Sequence, residues 1–298
     1  MEIIAPKEWY AVLDVLEKEK GVAILLGATD TGKSTLAKYF IFNLCQRGLK
    51  VALVDADIGQ SFLGPPATIG FAVFKSDPDW EVVLSPPEIF FVGSTTPEGN
   101  LLIHLKGVKR MADKARSLGA EVILVDTTGF ILGEAGKELK RRKIDLLSPR
   151  FIIALQKSDK IEHVLGLYKE NSLCKILRLP LSDKVRPKSM EERRINRTNK
   201  FQEYFKHSVT QELTIENFQI EGEVLDPNGD VLPVDLALKV NGLLIGLKDS
   251  TDETLALGVI RNYFEEKKIV RLFTPLRDMQ GIKTIQLSSL KVILLYNS

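Results

Sequence analysis

Residues 22 to 35 read Val-Ala-Ile-Leu-Leu-Gly-Ala-Thr-Asp-Thr-Gly-Lys-Ser-Thr: an apolar run, then Gly-x-x-x-x-Gly-Lys-Ser, then helical spacing. That order leaves the chain few folds to choose from. A buried strand brings the backbone to a glycine-permitted turn whose N–H groups converge on an anion. The helix that follows adds the positive end of its dipole. The loop consists of Gly27, Ala28, Thr29, Asp30, Thr31, Gly32, Lys33, Ser34 and Thr35. In such a loop Lys33 reaches the β- and γ-phosphates of a nucleotide, and the Ser34 hydroxyl binds Mg²⁺.

Bulk properties narrow the class further. A chain of 298 residues has room for one large or two modest domains, and its net charge of +2 gives no general attraction to nucleic acid. Any basic binding surface must therefore be local. Nowhere do about 18 apolar residues run together, and the N-terminus lacks a basic segment followed by a long apolar one. Cys45 and Cys174 fall in helical and strand-like patterns and read as small core residues in a reducing compartment. The expectation is a soluble cytoplasmic protein with no membrane association.

Strand and helix patterns alternate through the first two thirds of the chain. Helical spacing covers Trp9 to Lys20 and the stretch after the loop up to Gly48, then about Leu101 to Leu118, Gly136 to Leu147 and Lys160 to Tyr168. Apolar strand-like runs fall at Val51 to Val54, Ile89 to Val92, Val122 to Val125, Phe151 to Leu155 and Lys175 to Leu179. The expected fold class is α/β: a P-loop NTPase with a mainly parallel sheet covered by helices on both faces. Its ligand belongs at the carboxyl ends of the strands, where Asp55, Asp57, Thr95, Thr96 and Asp126 can converge. The Gly- and Pro-rich stretch from Ile58 to Gly70 reads as a functional loop.

From Lys188 to Phe205 the pattern is a charged helix, and beyond about His207 short β-type runs are separated by turns. Leu243 to Leu247, Leu255 to Ile260, Lys268 to Phe273 and Val292 to Leu295 are the candidate strands of a small C-terminal all-β domain. The expected division is 1–207 for the P-loop domain, with the charged helix at about 188–206, and 208–298 for the β domain.

A phosphate loop specifies only a nucleoside triphosphate and Mg²⁺; the carboxylates must indicate the second substrate. Asp55 and Asp57 are one residue apart at a strand end, so in an extended segment their side chains share a side. One can help hold the metal, which puts Asp55 with Ser34 as metal ligands, while Asp57 accepts a proton. A kinase needs that second role, because phosphoryl transfer is mostly positioning and charge neutralisation with a carboxylate to receive the hydroxyl proton. The alternative for Asp57 is a metal-only or turn-forming aspartate. Gln60 can orient the metal shell or the attacking oxygen. Lys137 to Lys143 (Lys-Glu-Leu-Lys-Arg-Arg-Lys) reads as a solvated helix face, with contact to a nucleic-acid backbone as the alternative. His104, His163 and His207 show no catalytic pairing.

Four segments together resemble the polynucleotide 5'-hydroxyl kinase family: Gly27 to Thr35, then Val54-Asp55-Ala-Asp57-Ile-Gly59-Gln60-Ser61, then Gly64-Pro-Pro66-Ala-Thr68, and Asp126-Thr127-Thr-Gly129-Phe130. That family includes the kinase subunit of the pre-mRNA cleavage factor, the pre-rRNA-processing kinases and archaeal relatives. The resemblance spans about residues 20 to 206 and is most specific in Asp-x-Asp-x-Gly-Gln.

It implies that an RNA or DNA with a 5'-hydroxyl end is the substrate and ATP or GTP the donor, with Asp57 as general base and Gln60 beside it. Gly93-Ser-Thr95-Thr96-Pro97 is similar to the family's clasp on the terminal nucleotide. Phe130 stands where the family usually has a Trp on which the terminal base stacks. A phenyl ring keeps a π-face, worth about 1 to 3 kcal/mol per stacked base. Arg193, Arg194 and Arg197 are similar to the family's lid. Arg193 and Arg197 share a helix face and would be catalytic through charge neutralisation. Eukaryotic members carry an N-terminal β domain; none is expected here, because the strand before the loop begins by residue 22.

Two other readings stand beside this one. Asp126-Thr-Thr-Gly129 also fits the γ-phosphate-sensing switch of a GTPase or related NTPase, and Gln156-Lys157-Ser158-Asp159 is one residue away from a guanine-reading pattern. A nucleotide-bound scaffold without turnover is the non-enzymatic alternative.

Overall fold

The computed structural model describes residues 5–75, 88–157 and 159–294. They form two compact units that interleave in sequence. The first takes residues 5–63, 69–75, 88, 96–157 and 159–190; the second takes 64–68, 89–95 and 191–294.

In the first unit, α1 (Lys7–Glu19) buries Trp9, Val12, Leu13 and Leu16 and stops where Lys20 and Gly21 take positive φ. β1 (Gly21–Leu26) leads into the phosphate loop and α2 (Lys33–Gln46). β2 (Val51–Ala56) and β3 (Thr68–Phe74) come next, then β4 (Glu88–Phe91), which belongs almost wholly to the second unit. α3 (Leu101–Ser117), β5 (Val122–Thr127), α4 (Gly133–Leu147), β6 (Phe151–Leu155), the one-turn α5 (Glu162–Leu165) and β7 (Lys175–Leu179) complete the series. The strand order is β7-β6-β1-β5-β2-β3, parallel except for β3, which runs against β2.

Alternation along the strands puts Ala23, Leu25, Val51, Leu53, Val122, Leu124, Phe151 and Ile153 into one cluster with the buried faces of α1 and α2. The residues between them, such as Ile24, Val54 and Ile152, are equally buried and turn to the other face. There α3 packs on β2, β5 and α4. Burial on both faces is what the continuous apolar runs encode, at about 1.5–3 kcal/mol for each fully buried large side chain.

The second unit holds α6 (Met190–Phe205), β8 (Val209–Thr214), β9 (Gln219–Glu221), α7 (Val234–Leu238), β10 (Leu244–Lys248), β11 (Thr254–Phe264), β12 (Ile269–Thr274) and β13 (Thr284–Gln286). β11 pairs antiparallel with both β10 and β12, and β12 with β8. Residues 64–68 and 89–95 belong here for a physical reason. Ala67, Ile89 and Phe91 share a core with Phe201, Phe205, Leu244 and Leu257, and a Cβ on Gly246 would lie 2.5 Å from the Phe91 ring.

Several elements depart from the sequence expectations. β3 lies partly inside the stretch read as loop; it is buried on both sides, so it shows no alternation to mark it. The helix expected at Lys160 to Tyr168 is broken into 3₁₀, α and 3₁₀ turns, with Gly166 opening the last. Val292 to Leu294 form no strand: Lys291 makes a single bridge to Leu243, and Leu295 lies outside the described residues. Among the described residues no helix is long and apolar enough to cross a membrane.

Candidate active site

The phosphate loop is shaped by contacts that leave no room for larger residues. A Cβ on Gly27 would lie 2.5 Å from Thr31 Oγ1 and 2.7 Å from Leu155 O, and Gly32 takes φ +84° at the start of α2. The Thr31 hydroxyl donates to Ala28 O at 2.9 Å. Lys33 folds back under the arch, its Nζ donating to Gly27 O at 3.1 Å and Ala28 O at 2.8 Å, so the ammonium is held where a bound phosphate would meet it. The segment before α6 is tied to the same loop: Lys188 N–H donates to Asp30 Oδ2 at 3.0 Å, and Val185 packs on Gly32.

Register carries two carboxylates to this edge. Asp55 of β2 stands opposite Asp126 of β5, and Ala56 opposite Thr127. The Ser34 hydroxyl donates to Asp126 Oδ2 at 2.5 Å, while Asp126 Oδ1 is buried with no hydrogen-bond partner among the described residues. Burial, reinforced by the negative charge of Asp55, pushes the Asp126 carboxyl up to about 7, against the pull of Lys33 and Ser34.

Asp55, expected as a metal ligand, is committed elsewhere. Its Oδ2 accepts Ser61 Oγ at 3.0 Å, Phe62 N and Leu63 N at 2.9 Å, and its Oδ1 accepts Asp57 N at 3.2 Å. This buried carboxylate anchors the 57–63 loop, and the oxygen set beside Ser34 is that of Asp126. Asp57 follows just beyond the strand. Its Oδ1 accepts Gly59 N and Gln60 N, both at 3.1 Å, closing an Asx turn, and Oδ2 accepts no hydrogen bond among the described residues. The Gln60 side chain donates to Gly59 O at 2.8 Å.

Across from the loop, Gly129 abuts Thr29: a Cβ there would lie 2.3–2.4 Å from Thr29 Oγ1, Cα and N. Phe130 follows it, half-buried. Thr96, on the turn after β4, accepts Glu98 N at 3.4 Å. Thr95, Arg193 and Arg197 belong to the second unit. There Arg193 and Arg197 lie half-buried on the α6 stripe that continues into buried Phe201 and Phe205, while Arg194 is exposed and pairs with Glu191 at 2.7 Å.

The basic run on α4 is not a uniformly solvated face. Arg141 and Arg142 point outward and pair with Glu138, but Lys140 and Lys143 are fully buried. Lys140 Nζ donates to Thr127 Oγ1 at 3.0 Å and to Thr128 O at 2.5 Å, bracing the turn that carries Gly129. Lys143 Nζ has no hydrogen-bond partner among the described residues. Burial brings it down to about 7, with Asp57 and Asp126 pulling the other way. His104 of α3 is buried against Ala56 O at 3.1 Å; burial and the charge of Lys143 hold its imidazole well below the usual range. Lys140 and Lys143 were legible in one respect: they share the stripe of Gly136, Leu139, Ile144 and Leu147, so helical periodicity turns them inward.

A parallel sheet with a phosphate loop after an inner strand, and a serine and an aspartate joined at its carboxyl edge, define a P-loop nucleotide-binding protein. Comparison with known proteins narrows the class. Residues 27–207 match the family described as mRNA cleavage and polyadenylation factor CLP1 P-loop, and the chain belongs to that family. It is 28% identical to a polyribonucleotide 5'-hydroxyl-kinase of Pyrococcus furiosus, over 95% of this chain and 91% of that one. It is 32% identical to the enzyme of the same name from Pyrococcus horikoshii, over 73% of this chain and 59% of that one. The solved structure of the Clp1p–Pcf11p complex shares the fold, with TM-score 0.76 and 17% identity over 96% of this chain and 79% of that one.

Proposed function

We propose that this protein is a polynucleotide 5'-hydroxyl kinase that moves the γ-phosphoryl group of ATP or GTP onto the 5'-hydroxyl of an RNA or DNA end. Relatives bearing that activity in their names align over nearly its whole length, and those names put RNA first among substrates. The observation that carries the reading is Asp57. Its turn is fixed through Oδ1, its charge is felt by Asp126, and Oδ2 is left to accept a proton from the attacking hydroxyl.

Lys33 and the loop N–H groups hold the β- and γ-phosphates. Ser34 and Asp126 supply the oxygen donors for Mg²⁺, and the unpartnered Asp126 Oδ1 fits that role. Bound there, the cation would neutralise charge on the transferring group. Phe130 offers its ring to the terminal base, and the family resemblance assigns Thr95 and Thr96 to the terminal nucleotide and Arg193 and Arg197 to a lid.

In the pattern that is one residue away from guanine reading, the Gln156 amide is already engaged within the fold. Gln156 Nε2 donates to Glu162 at 2.6 Å and Gln156 Oε1 accepts Ile161 N, so both ends of that amide are engaged; Ser158 lies outside the described residues. The test uses a nucleoside triphosphate labelled at the γ-phosphate and a 5'-hydroxyl oligonucleotide. Label on the oligonucleotide supports the kinase; label only in inorganic phosphate supports a switch, and retained nucleotide without turnover a scaffold.

A further inference from the structure

The Asp30 side chain has no part in the steps above, and a carboxylate is a poor choice for a loop that takes phosphates, because like charges repel at short range. The backbone explains only part of it: residue 30 takes φ +57°, which Gly, Asn and Asp tolerate best. What the acid adds is a contact. Asp30 Oδ2 accepts the N–H of Lys188 at 3.0 Å, from a residue 158 positions further along the chain.

Lys188 lies between β7 and α6, where residues 180–189 form no helix or strand and are mostly exposed. Such a stretch is placed by individual contacts. Its start is fixed by Trp9 Nε1, which donates to Pro180 O at 3.1 Å. Further on, Val185 N donates to Ser182 O at 3.0 Å, and Val185 packs on Gly32, where a Cβ would lie 3.1 Å from Val185 Cγ2. Its end is fastened by Asp30. Val185 and Lys188 thus both rest on the phosphate loop, and all of these residues belong to the first unit. Any rearrangement of the loop around bound phosphates is passed directly to residues 185–188, and α6 begins at Met190.

We infer that Asp30 is a positioning residue: its carboxylate fastens the run into α6 to the phosphate loop, so that nucleotide in the loop sets the start of the helix that carries Arg193 and Arg197. The use of this contact in catalysis rests on the kinase reading, in which those arginines neutralise the transferring group.

Asp30→Gly suits the same φ and removes the acceptor, whereas Asp30→Asn tolerates that φ and keeps an acceptor oxygen. In Asp30→Gly, kcat for transfer to a 5'-hydroxyl oligonucleotide is expected to fall about tenfold, with the nucleotide KM within about threefold of wild type. Asp30→Asn should recover most of that loss. A carboxylate that merely shaped the loop would show instead as a raised nucleotide KM. Where Asp30→Gly does not fold, Lys188→Pro removes the donor of the same bond and is measured against the same kinetic expectations. Amide hydrogen exchange at Lys188 reads the contact without turnover. Exchange should slow on adding ATP or GTP with Mg²⁺ in wild type and in Asp30→Asn, and should be fast and indifferent to nucleotide in Asp30→Gly. Unchanged kcat in Asp30→Gly, a loss confined to nucleotide KM, or Lys188 exchange that ignores the nucleotide or the substitution overturns the inference. A wild-type protein that transfers no phosphate defeats the kinase reading and leaves Lys188 exchange to decide whether Asp30 fastens the segment.

Discussion

Ser34, on the first turn of α2, donates its hydroxyl proton to Asp126 Oδ2 at the end of β5, and the second oxygen of Asp126 is buried without a partner among the described residues. A neutral hydroxyl and a half-satisfied carboxylate leave oxygen lone pairs that, on the proposed function, a magnesium–nucleotide complex would take. Asp126→Asn keeps the shape and removes the charge. The expected result is a fall in phosphoryl transfer of about 10² or more, with a raised Mg²⁺ requirement in a metal titration. Transfer at wild-type rate and wild-type Mg²⁺ dependence would remove Asp126 from the metal site.

Asp55 serves the loop, so its loss should register first in stability. The carboxylate accepts three backbone N–H groups and the Ser61 hydroxyl, and Asn can present only one oxygen to them. Asp55→Asn is expected to cost about 2 kcal/mol or more, read as a lowered Tm in thermal unfolding, and to reduce activity because Asp57 and Gln60 ride on the same loop. An unchanged Tm with a raised Mg²⁺ requirement would return Asp55 to the metal.

The contrast between these two aspartates shows what the chain discloses unaided. The phosphate loop and the parallel core strands were legible because each is carried by local spacing: Gly-x-x-x-x-Gly-Lys-Ser and continuous apolar runs. Which of Asp55 and Asp126 meets Ser34 was not, because that depends on strand pairing between segments about 70 residues apart in sequence. The inward turn of Lys140 and Lys143 was hidden by charge. Lysines are rarely fully buried, so a run of four basic residues reads as solvent-facing even where its helical phase says otherwise.

Gly129 admits no side chain where it meets the phosphate loop. The atoms a Cβ would strike include Thr29 N and Cα, which are backbone and cannot rotate away. Gly129→Ala should therefore displace the loop, weakening nucleotide binding by about tenfold or more and costing about 1–3 kcal/mol of stability. Nucleotide titration by calorimetry checks the first, and undiminished affinity would show that the two loops separate without penalty.

Phe130 follows Gly129 and is half-buried, leaving part of its ring for a ligand. Loss of a stacking platform worth about 1–3 kcal/mol should raise the oligonucleotide KM of Phe130→Ala by about fivefold or more, while the nucleotide KM holds. Phe130→Trp should lower the oligonucleotide KM. Equal KM values in all three proteins would mean that no base stacks there.

Lys143 should also leave a signature in stability against pH. Burial depresses its ammonium from an ordinary value near 10.5 to about 7, so between those values the unfolded chain binds a proton that the folded protein does not. Stability contributed by this site therefore rises with pH across that window, by at most about 1.4 kcal/mol per pH unit. Below about 7 both states are protonated, and the cost of the buried charge is present in full. Lys143→Met removes the titration. The variant is expected to be more stable than wild type near pH 6, and its advantage should shrink steadily towards pH 10 in parallel denaturant titrations. A difference that stays constant across this range would mean that Lys143 titrates alike in both states and carries no burial penalty.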